Sequence, residues 1–317
     1  MKVVSAIKRV PEHIQKRLTD KFSSVEFLFC EGIEEAEHHL PEADVFITYG
    51  EDLGSERIKK AERLKWVMVL SAGLDKMPFE IIERKGITVT NVRGIHAEPM
   101  AEYALSMLLQ ASRSAKAMYA NQQKHHWGRS LTFNEINHRT MVLIGTGAIA
   151  QETARLAQAF HMKTIGISRS GEAKPHFDET HKVDELSDQL PQADFVVAVL
   201  PSTEETKYLL NAAHFQLMPE HCIFLNMGRG DLVASDDILL AVREGEISHA
   251  VLDVFEQEPL PEDHPFWEEE NITITPHISG HSPQYIPRGF DIFEENLERY
   301  VQGESQLVNL IDPKRGY

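Results

Sequence analysis

The stretch MVLIGTGAIAQETARLAQAF, residues 141–160, decides the fold of this chain. An apolar run leads straight into the segment GTGAIA (145–150), and a helical pattern follows it. The first glycine permits a tight turn, the second lets the backbone approach a pyrophosphate, and Ala150 leaves room for the helix to pack on the strand. A helix N-terminus at this point presents free N–H groups and the positive end of its dipole to phosphate. The pattern predicts a dinucleotide-binding turn, rather than a purely structural one, with these cofactor-binding residues: Gly145, Gly147, Ala148 and Ile149.

Strand-like apolar runs extend on both sides of this turn and alternate with helical patterns, which indicates βαβ units and parallel sheets. The runs around and after the turn are MVLIG (141–145), TIGIS (164–168), DFVVAVL (194–200), CIFLNM (222–227), HAVLDVF (249–255) and NITIT (271–275). The runs before it are 3–7, 25–30, 43–50, 66–73 and 87–92. One long helix is predicted over 98–120. The predicted fold class is α/β, with two doubly wound parallel-sheet domains: a flavodoxin-like domain from the first series, and a Rossmann nucleotide-binding domain with six strands from the second.

The end of the second strand of the Rossmann series bears on the choice of cofactor. An NAD site usually places Asp or Glu here to bind the ribose 2′-hydroxyl, whereas this chain has Ser168, Arg169 and Ser170. A guanidinium pairs bidentately with phosphate, and hydroxyls add hydrogen bonds. The sequence therefore predicts a preference for NADP, with these three residues at the 2′-phosphate. The alternative is that Arg169 is a solvated loop residue and that NAD is also used.

Composition excludes several other classes of function. The chain has 32 Lys and Arg against 49 Asp and Glu, a net charge of −17, which disfavours nucleic acid and anionic membranes as partners. Cys30 and Cys222 lie in apolar runs and form no disulfide framework. The apolar stretch 3–7 is too short for a signal peptide and no run approaches a membrane span, so we expect a cytoplasmic protein. No metal site is predicted, because adjacent histidines point in divergent directions: His38-His39 and His125-His126.

Three later segments carry chemically active side chains. They are NMGRGDLV (226–233), LDVFEQEPL (252–260) and TPHISGHS (275–282), and each begins where a predicted strand ends. In open α/β sheets, ligands bind at the carboxyl ends of the strands. We therefore expect three side chains to converge in one crevice: Arg229, Glu258 and His277.

At this point the chain resembles the D-isomer-specific 2-hydroxyacid dehydrogenase family. The resemblance lies in motifs that occur in the family's order over nearly the whole chain: SAGLD (71–75), TNVRG (90–94), AEYALSMLL (101–109), GTGAIA (145–150), LPSTEETKYLL (200–210), NMGRG (226–230), LDVFEQEP (252–259) and PHISG (276–280). The ending Ser168-Arg169-Ser170 is similar to that of the NADP-using glyoxylate/hydroxypyruvate reductase branch. The resemblance implies reversible reduction of a small 2-keto acid to the D-2-hydroxy acid.

The resemblance also implies roles for the reacting groups. His277 would give the proton to the carbonyl oxygen, and Glu258 would orient the ring and favour the imidazolium. Arg229 would hold the substrate carboxylate and polarise the keto group. Backbone N–H groups of Ala72 and Gly73 would bind the same carboxylate.

Further contacts with the cofactor are implied in the same way. Asp253 would hold the nicotinamide carboxamide, and Pro201 and Thr206 would line the adenosine side. Residues expected to bound the nicotinamide are Met227, His277 and Gly280.

The family's architecture implies a discontinuous substrate-binding domain of residues 1–95 plus 285–317, with the NAD(P)-binding domain of residues 96–284 inserted. It also implies a homodimer through the region 98–140, where Trp127 is a candidate contact or, alternatively, a core residue. Two other functions stay open: an NAD-dependent dehydrogenase of a larger 2-hydroxy acid, and a non-catalytic binding protein that senses the cofactor. The sequence does not predict which acid is bound.

Overall fold

The computed structural model describes residues 1–71, 74 and 77–312. The chain divides into two compact units: Met1–Ile95 with Ser282–Tyr317, the first unit, and His96–His281, the second unit. The predicted boundaries were 95/96 and 284/285, so the second boundary lies slightly earlier along the chain than expected.

The described residues form short strands and helices in regular alternation. The strands are β1 (Lys2–Ser5), β2 (Glu26–Phe29), β3 (Val45–Thr48), β4 (Trp66–Val69), β5 (Thr88–Asn91), β6 (Thr140–Ile144), β7 (Lys163–Ser168), β8 (Glu179–Lys182), β9 (Phe195–Ala198), β10 (Ile223–Asn226), β11 (His249–Leu252) and β12 (Ile272–Ile274). The α-helices are α1 (Glu12–Lys21), α2 (Ile33–Ala36), α3 (Ser55–Lys60), α4 (Phe79–Lys85), α5 (Ala97–Ser112), α6 (Ala115–Gln123), α7 (Ala148–Gln158), α8 (Leu186–Gln189), α9 (Ala212–Phe215), α10 (Ser235–Arg243) and α11 (Tyr285–Val301). Short 3₁₀ helices cover Glu37–Glu42, Val183–Glu185, Leu190–Gln192, Gly230–Leu232 and Pro265–Glu268.

The first unit is built on a five-stranded sheet in the order β2-β1-β3-β4-β5. Every neighbouring pair is parallel. Successive residues of β3 enter different apolar clusters, since Val45 and Ile47 pack in one and Phe46 in the other. Because side chains alternate across a strand, both faces of the sheet are covered. The strand order and the two covered faces confirm the predicted flavodoxin-like, doubly wound fold.

The second unit contains a seven-stranded parallel sheet in the order β12-β11-β10-β9-β6-β7-β8. The chain runs from β6 outward to β8 and then returns to the other side of β6, so the order reverses between β6 and β9. This is the Rossmann arrangement, and it confirms that prediction. On β6, Val142 and Ile144 pack in one apolar cluster while Met141 and Leu143 pack in another, so both faces are buried.

Two details of the second unit differ from the prediction. The sheet has seven strands rather than six, because β8 was missed: its sequence is Glu-Thr-His-Lys, a polar edge strand with no apolar run. In addition, the single helix predicted over 98–120 is in fact divided into two helices, α5 and α6. They are separated at Ser114, whose backbone has a left-handed φ of 51° and whose hydroxyl donates to the carbonyl oxygen of Thr132 at 2.5 Å. Helical spacing of apolar residues continues across this break, so periodicity alone gave no sign of it.

Candidate active site

Apart from Ala72 and Gly73, the predicted site residues lie at the ends of strands of the second sheet or in the segments that follow those strands. Because its strands are parallel, their carboxyl ends lie together at one edge, which we call the carboxyl edge. The loops after β6 and β9 flank the point where the strand order reverses, the usual place for a ligand in an open α/β sheet.

The glycine-rich turn after β6 has the geometry of a phosphate cradle. Gly145 has a φ of 112°, and a Cβ at this position would lie 2.7 Å from the carbonyl oxygen of Val199, so only glycine fits. A Cβ on Gly147 would meet no described atom within 4 Å. Helix α7 begins at Ala148, and no side chain in the described part of the chain caps it. Its first N–H groups therefore face open space at the positive end of the helix dipole, and the turn fits a pyrophosphate.

The serine and arginine residues at the end of β7 are accessible. Ser168 is half-buried, and its Oγ accepts a hydrogen bond from the Gly171 N–H at 3.2 Å. Arg169 and Ser170 are both exposed. The end of this strand is where a dinucleotide's ribose is bound in Rossmann domains, and a guanidinium here fits a 2′-phosphate better than a 2′-hydroxyl.

The loop after β9 is closed by one of its own side chains. The Thr206 hydroxyl donates to the carbonyl oxygen of Pro201 at 2.7 Å and accepts from the Thr203 N–H at 2.8 Å. The Thr206 hydroxyl therefore stabilises the conformation of this loop. The predicted contacts of Pro201 and Thr206 with the adenosine half of a cofactor stay predictions.

Arg229 lies in a loop that can be built only with glycines beside it. A Cβ on Gly230 would lie 1.9 Å from the carbonyl carbon of Phe255, so this loop packs directly on the backbone of the next one. The buried Asn226 side chain donates to the Arg229 carbonyl oxygen at 3.0 Å and accepts from the Gly228 N–H at 3.1 Å. The Arg229 guanidinium itself donates to the Gly228 carbonyl oxygen at 2.8 Å, and the residue is exposed. The backbone is fixed while the cation stays available.

His277 and Glu258 form a close pair. His277 Nδ1 lies 2.8 Å from Glu258 Oε2, and the side chains are 51% and 36% exposed. Glu258 Oε1 accepts the Phe255 N–H at 3.0 Å, which orients the carboxylate. Since a carboxylate only accepts hydrogen bonds, Nδ1 carries a proton and Nε2 is the ring nitrogen left for proton transfer.

The segment 253–258 links these groups. Gly230 packs on its Phe255, and its Glu258 binds His277. The structure therefore brings Arg229, Glu258 and His277 around one segment at the carboxyl edge. The sequence motifs did not identify Asn226, whose hydrogen bonds fix the Arg229 loop, because an asparagine at a strand end forms no distinctive pattern.

Asp253 and Met227 are both buried in the structure. Asp253 is fully buried, and its carboxylate accepts hydrogen bonds from Thr275 and from two backbone N–H groups of the segment 276–279. Met227 is 2% exposed within an apolar cluster. Their predicted contacts with the nicotinamide stay predictions, whereas the structure shows Asp253 holding the loop that carries His277.

Gly280 lies beside a histidine that the sequence did not single out. A Cβ on Gly280 would lie 3.0 Å from His96 Nδ1, so the glycine allows the two segments to approach. Burial lowers the pKa of His96, despite an opposing hydrogen bond with the Gly280 backbone. Burial thus favours the neutral form of the His96 ring beside this loop.

Other predicted features fall outside this edge. Ala72 and Gly73 lie outside the described residues. Trp127 is 91% exposed, so the alternative that it is a core residue is wrong.

Within the described ranges, no three His, Cys, Asp or Glu side chains are grouped so that they could bind a metal ion. None of the described helices has the length and apolar character that crossing a membrane requires.

Comparison with known proteins gives consistent matches over the whole chain. The family model for the D-isomer specific 2-hydroxyacid dehydrogenase NAD binding domain matches residues 105–279. A glyoxylate reductase of Aeropyrum pernix is 31% identical over 279 residues, 84% of this chain and 83% of the relative.

Solved structures agree with this match. A D-isomer specific 2-hydroxyacid dehydrogenase family protein from Aeromonas salmonicida has a TM-score of 0.86 and 32% identity, covering 98% of this chain and 99% of the other. An NADPH-dependent glyoxylate/hydroxypyruvate reductase from Sinorhizobium meliloti, solved with NADP and sulfate, has a TM-score of 0.78 and 28% identity, covering 100% and 99%. The similarity therefore extends over both units.

Proposed function

Because the chain belongs to the D-isomer-specific 2-hydroxyacid dehydrogenase family, we propose that Arg229, Glu258 and His277 are its catalytic residues. The protein is an oxidoreductase that reversibly reduces a small 2-keto acid to the 2-hydroxy acid, with NADP as its cofactor and NAD as the alternative. The observation that carries the residue assignment is the His277–Glu258 pair, 2.8 Å apart, at the same sheet edge as the glycine-rich turn.

The proton is handled by His277. When bound, the reduced cofactor supplies the hydride that the carbonyl carbon needs. His277 Nε2 gives its proton to the carbonyl oxygen, and in the reverse direction it takes the proton from the hydroxyl. Glu258 stabilises the imidazolium by its charge and fixes the ring through Nδ1. The pair therefore supplies the proton that the developing alkoxide needs.

The substrate is held by its carboxylate. The Arg229 guanidinium matches a carboxylate bidentately and also polarises the adjacent keto group. Its backbone is fixed by Asn226 before substrate arrives, so less ordering is required on binding. The backbone N–H groups of Ala72 and Gly73 form the second anchor in our proposal, on the basis of the family motif alone. In our proposal, the second unit supplies Arg229 as well as the residues that bind the cofactor.

The cofactor side of the proposal rests on the glycine-rich turn and on Arg169. The turn binds the pyrophosphate with Gly147, Ala148 and Ile149 N–H groups, and Arg169 with its flanking serines binds the 2′-phosphate. The reductase from Sinorhizobium meliloti, solved with NADP, supports the choice of NADP. The remaining predicted contacts complete this side: Pro201, Thr206, Met227, Asp253 and Gly280.

We also propose that the protein is a homodimer in the cytoplasm. The region predicted to dimerise exposes large apolar side chains that a second copy would cover. They are Met118 at 43%, Tyr119 at 63%, Trp127 at 91% and Phe133 at 44% exposure. The free thiols of Cys30 and Cys222 suit a reducing compartment.

The proposed function is tested by turnover on a substrate panel. Purified protein is mixed with NADPH or NADH and with glyoxylate, hydroxypyruvate, pyruvate or phenylpyruvate, and loss of reduced-nicotinamide absorbance is followed. We expect turnover of a small acid with NADPH, and oxidation of D-glycerate but not L-glycerate in the reverse direction. Turnover only of the largest acid with NADH would favour the NAD-dependent alternative. No turnover with any combination would favour the cofactor-sensing protein.

A further inference from the structure

We propose that Tyr103 and Thr275 are positioning residues for His277, and that they act through the buried Asp253. This inference rests on the proposed function, since it concerns how the proton donor is held. All four residues belong to the second unit.

Asp253 is the centre of the arrangement. It is 0% exposed, and its Oδ1 accepts from the Thr275 hydroxyl at 2.6 Å and from the Ile278 N–H at 2.9 Å. Its Oδ2 accepts from the Ser279 N–H at 2.9 Å, and its backbone oxygen accepts from the His277 N–H at 2.9 Å. One residue therefore binds the loop on both sides of the proposed proton donor.

The loop needs this support because its backbone is strained at His277. The φ of His277 is 54°, in the left-handed region that non-glycine residues seldom adopt. Such a conformation persists only where surrounding contacts determine it, and here Asp253 supplies those contacts. A weaker hold on Asp253 would let the imidazole move away from its working position.

The hydrogen bonds run in one direction from helix α5 to Asp253. The carboxylate only accepts, so the Thr275 hydroxyl must donate to it and is left with lone pairs. The Tyr103 hydroxyl, 2.6 Å from Thr275 Oγ1, donates to one of them. Burial raises the pKa of Tyr103, so its hydroxyl stays protonated and remains a donor at working pH.

This chain of hydrogen bonds links the loop to a rigid helix. On α5, Ala101, Ala104 and Leu108 are buried, so the helix is fixed against the sheet. Hydrogen bonds in series polarise one another inside a protein, so a donor at Tyr103 strengthens the bond from Thr275 to Asp253. Tyr103 and Thr275 are 172 positions apart in sequence, and the contact exists only in the folded chain.

The experiment uses the full-length protein with NADPH and the best acid of the panel. Tyr103→Phe and Thr275→Val each remove one hydroxyl, and Thr275→Ser restores the second. Tyr119→Phe is the matched control, because it removes a tyrosine hydroxyl outside this chain of hydrogen bonds and keeps the apolar ring. Losing one hydrogen bond should lower kcat about three- to tenfold, with KM and NADPH affinity within about twofold of wild type. Thr275→Ser and Tyr119→Phe should keep wild-type kcat.

A double variant and hydrogen exchange separate positioning from a general structural loss. Because Tyr103 acts through Thr275, Tyr103→Phe combined with Thr275→Val should lose no more than Thr275→Val alone. Amide hydrogen exchange in the segment 276–281 should be faster in Tyr103→Phe and unchanged in Tyr119→Phe. This measurement does not depend on turnover.

Three results would overturn the inference: Tyr103→Phe with wild-type kcat, losses that multiply in the double variant, or unchanged exchange in the segment 276–281. In each case an active wild-type enzyme leaves the proposed function intact. Failure of the proposed function itself is a different result, the absence of turnover by the wild type.

Discussion

Two histidine–carboxylate pairs stand at opposite edges of the second sheet. His277 Nδ1 lies 2.8 Å from Glu258 at the carboxyl edge, and His221 Nε2 lies 2.8 Å from Asp194 at the other end of the strands, the amino edge. The two imidazoles are almost equally exposed, at 51% and 55%. Taken alone, either pair has the geometry of an acid–base catalyst.

The neighbours of the two pairs differ. Asp194 also accepts hydrogen bonds from Arg139 at 2.9 Å and from the Thr140 N–H at 2.8 Å, so it ties together the starts of neighbouring strands. At the carboxyl edge, the cation Arg229 is instead exposed, and the glycine-rich turn lies at the same edge. The residues around a histidine–carboxylate pair therefore decide whether the pair is assigned to catalysis. Substitutions at the carboxyl edge should change activity, and those at the amino edge should change stability.

Among substitutions that test this contrast between the edges, Arg229→Gln should have the largest effect on activity. Removing the cation that binds the carboxylate and polarises the keto group should lower kcat/KM about 100- to 1,000-fold. The thermal unfolding midpoint should stay close to that of wild type, because the backbone bonds of Asn226 do not use the guanidinium. Steady-state kinetics and circular dichroism melts measure the two quantities. Arg243→Gln, in the surface pair with Glu269, is the matched control. A loss of less than tenfold would remove Arg229 from the catalytic group.

Arg169→Ala should change cofactor preference without changing chemistry. Loss of a charge-assisted contact with the 2′-phosphate should raise KM for NADPH about ten- to thirtyfold and leave KM for NADH nearly unchanged. Lys174→Ala, a nearby cation paired with Glu172, controls for general charge. Equal effects of Arg169→Ala on both cofactors would contradict the NADP assignment.

At the amino edge, Asp194→Asn should lower stability and spare activity. The substitution weakens three hydrogen bonds to Arg139, Thr140 and His221, so the free energy of unfolding should fall by about 1–3 kcal/mol. Urea unfolding measures this change, and kcat per folded molecule should match wild type. A large loss of kcat with little loss of stability would break the proposed division between the edges.

The smallest effect is a pH dependence at the amino edge. Burial, with help from the Lys116 cation, lowers the pKa of His249 from 6.5 to about 4. The unfolded chain then binds a proton that the folded protein does not, so stability falls as the pH drops from about 6.5 towards 4. Between about pH 7.5 and about pH 5.5, His249→Gln should lose roughly 1 kcal/mol less stability than wild type. If the curves of unfolding free energy against pH were parallel for wild type and His249→Gln, a contribution of His249 to the pH dependence would be excluded.

The sequence predicted what depends on local pattern and on strand order. Gly145 could be predicted because the backbone geometry at that position admits little else, and Arg229 and His277 because each follows a strand of a parallel sheet. Strand β8 was missed because an edge strand needs no apolar run, and the break at Ser114 because periodicity continues across it. Neither the Tyr103–Thr275 contact nor the burial of Asp253 could be predicted, since both arise from packing between distant segments.

In our proposal His277, rather than any similarly paired histidine, transfers the proton. The most direct measurement compares His277→Gln with His221→Gln for kcat and for NADPH affinity by fluorescence titration. We expect His277→Gln to lower kcat about 100- to 10,000-fold with NADPH affinity within about twofold of wild type, whereas His221→Gln should keep wild-type kcat. Retention of more than a tenth of the activity by His277→Gln, or an equal loss in His221→Gln, would contradict the proposal.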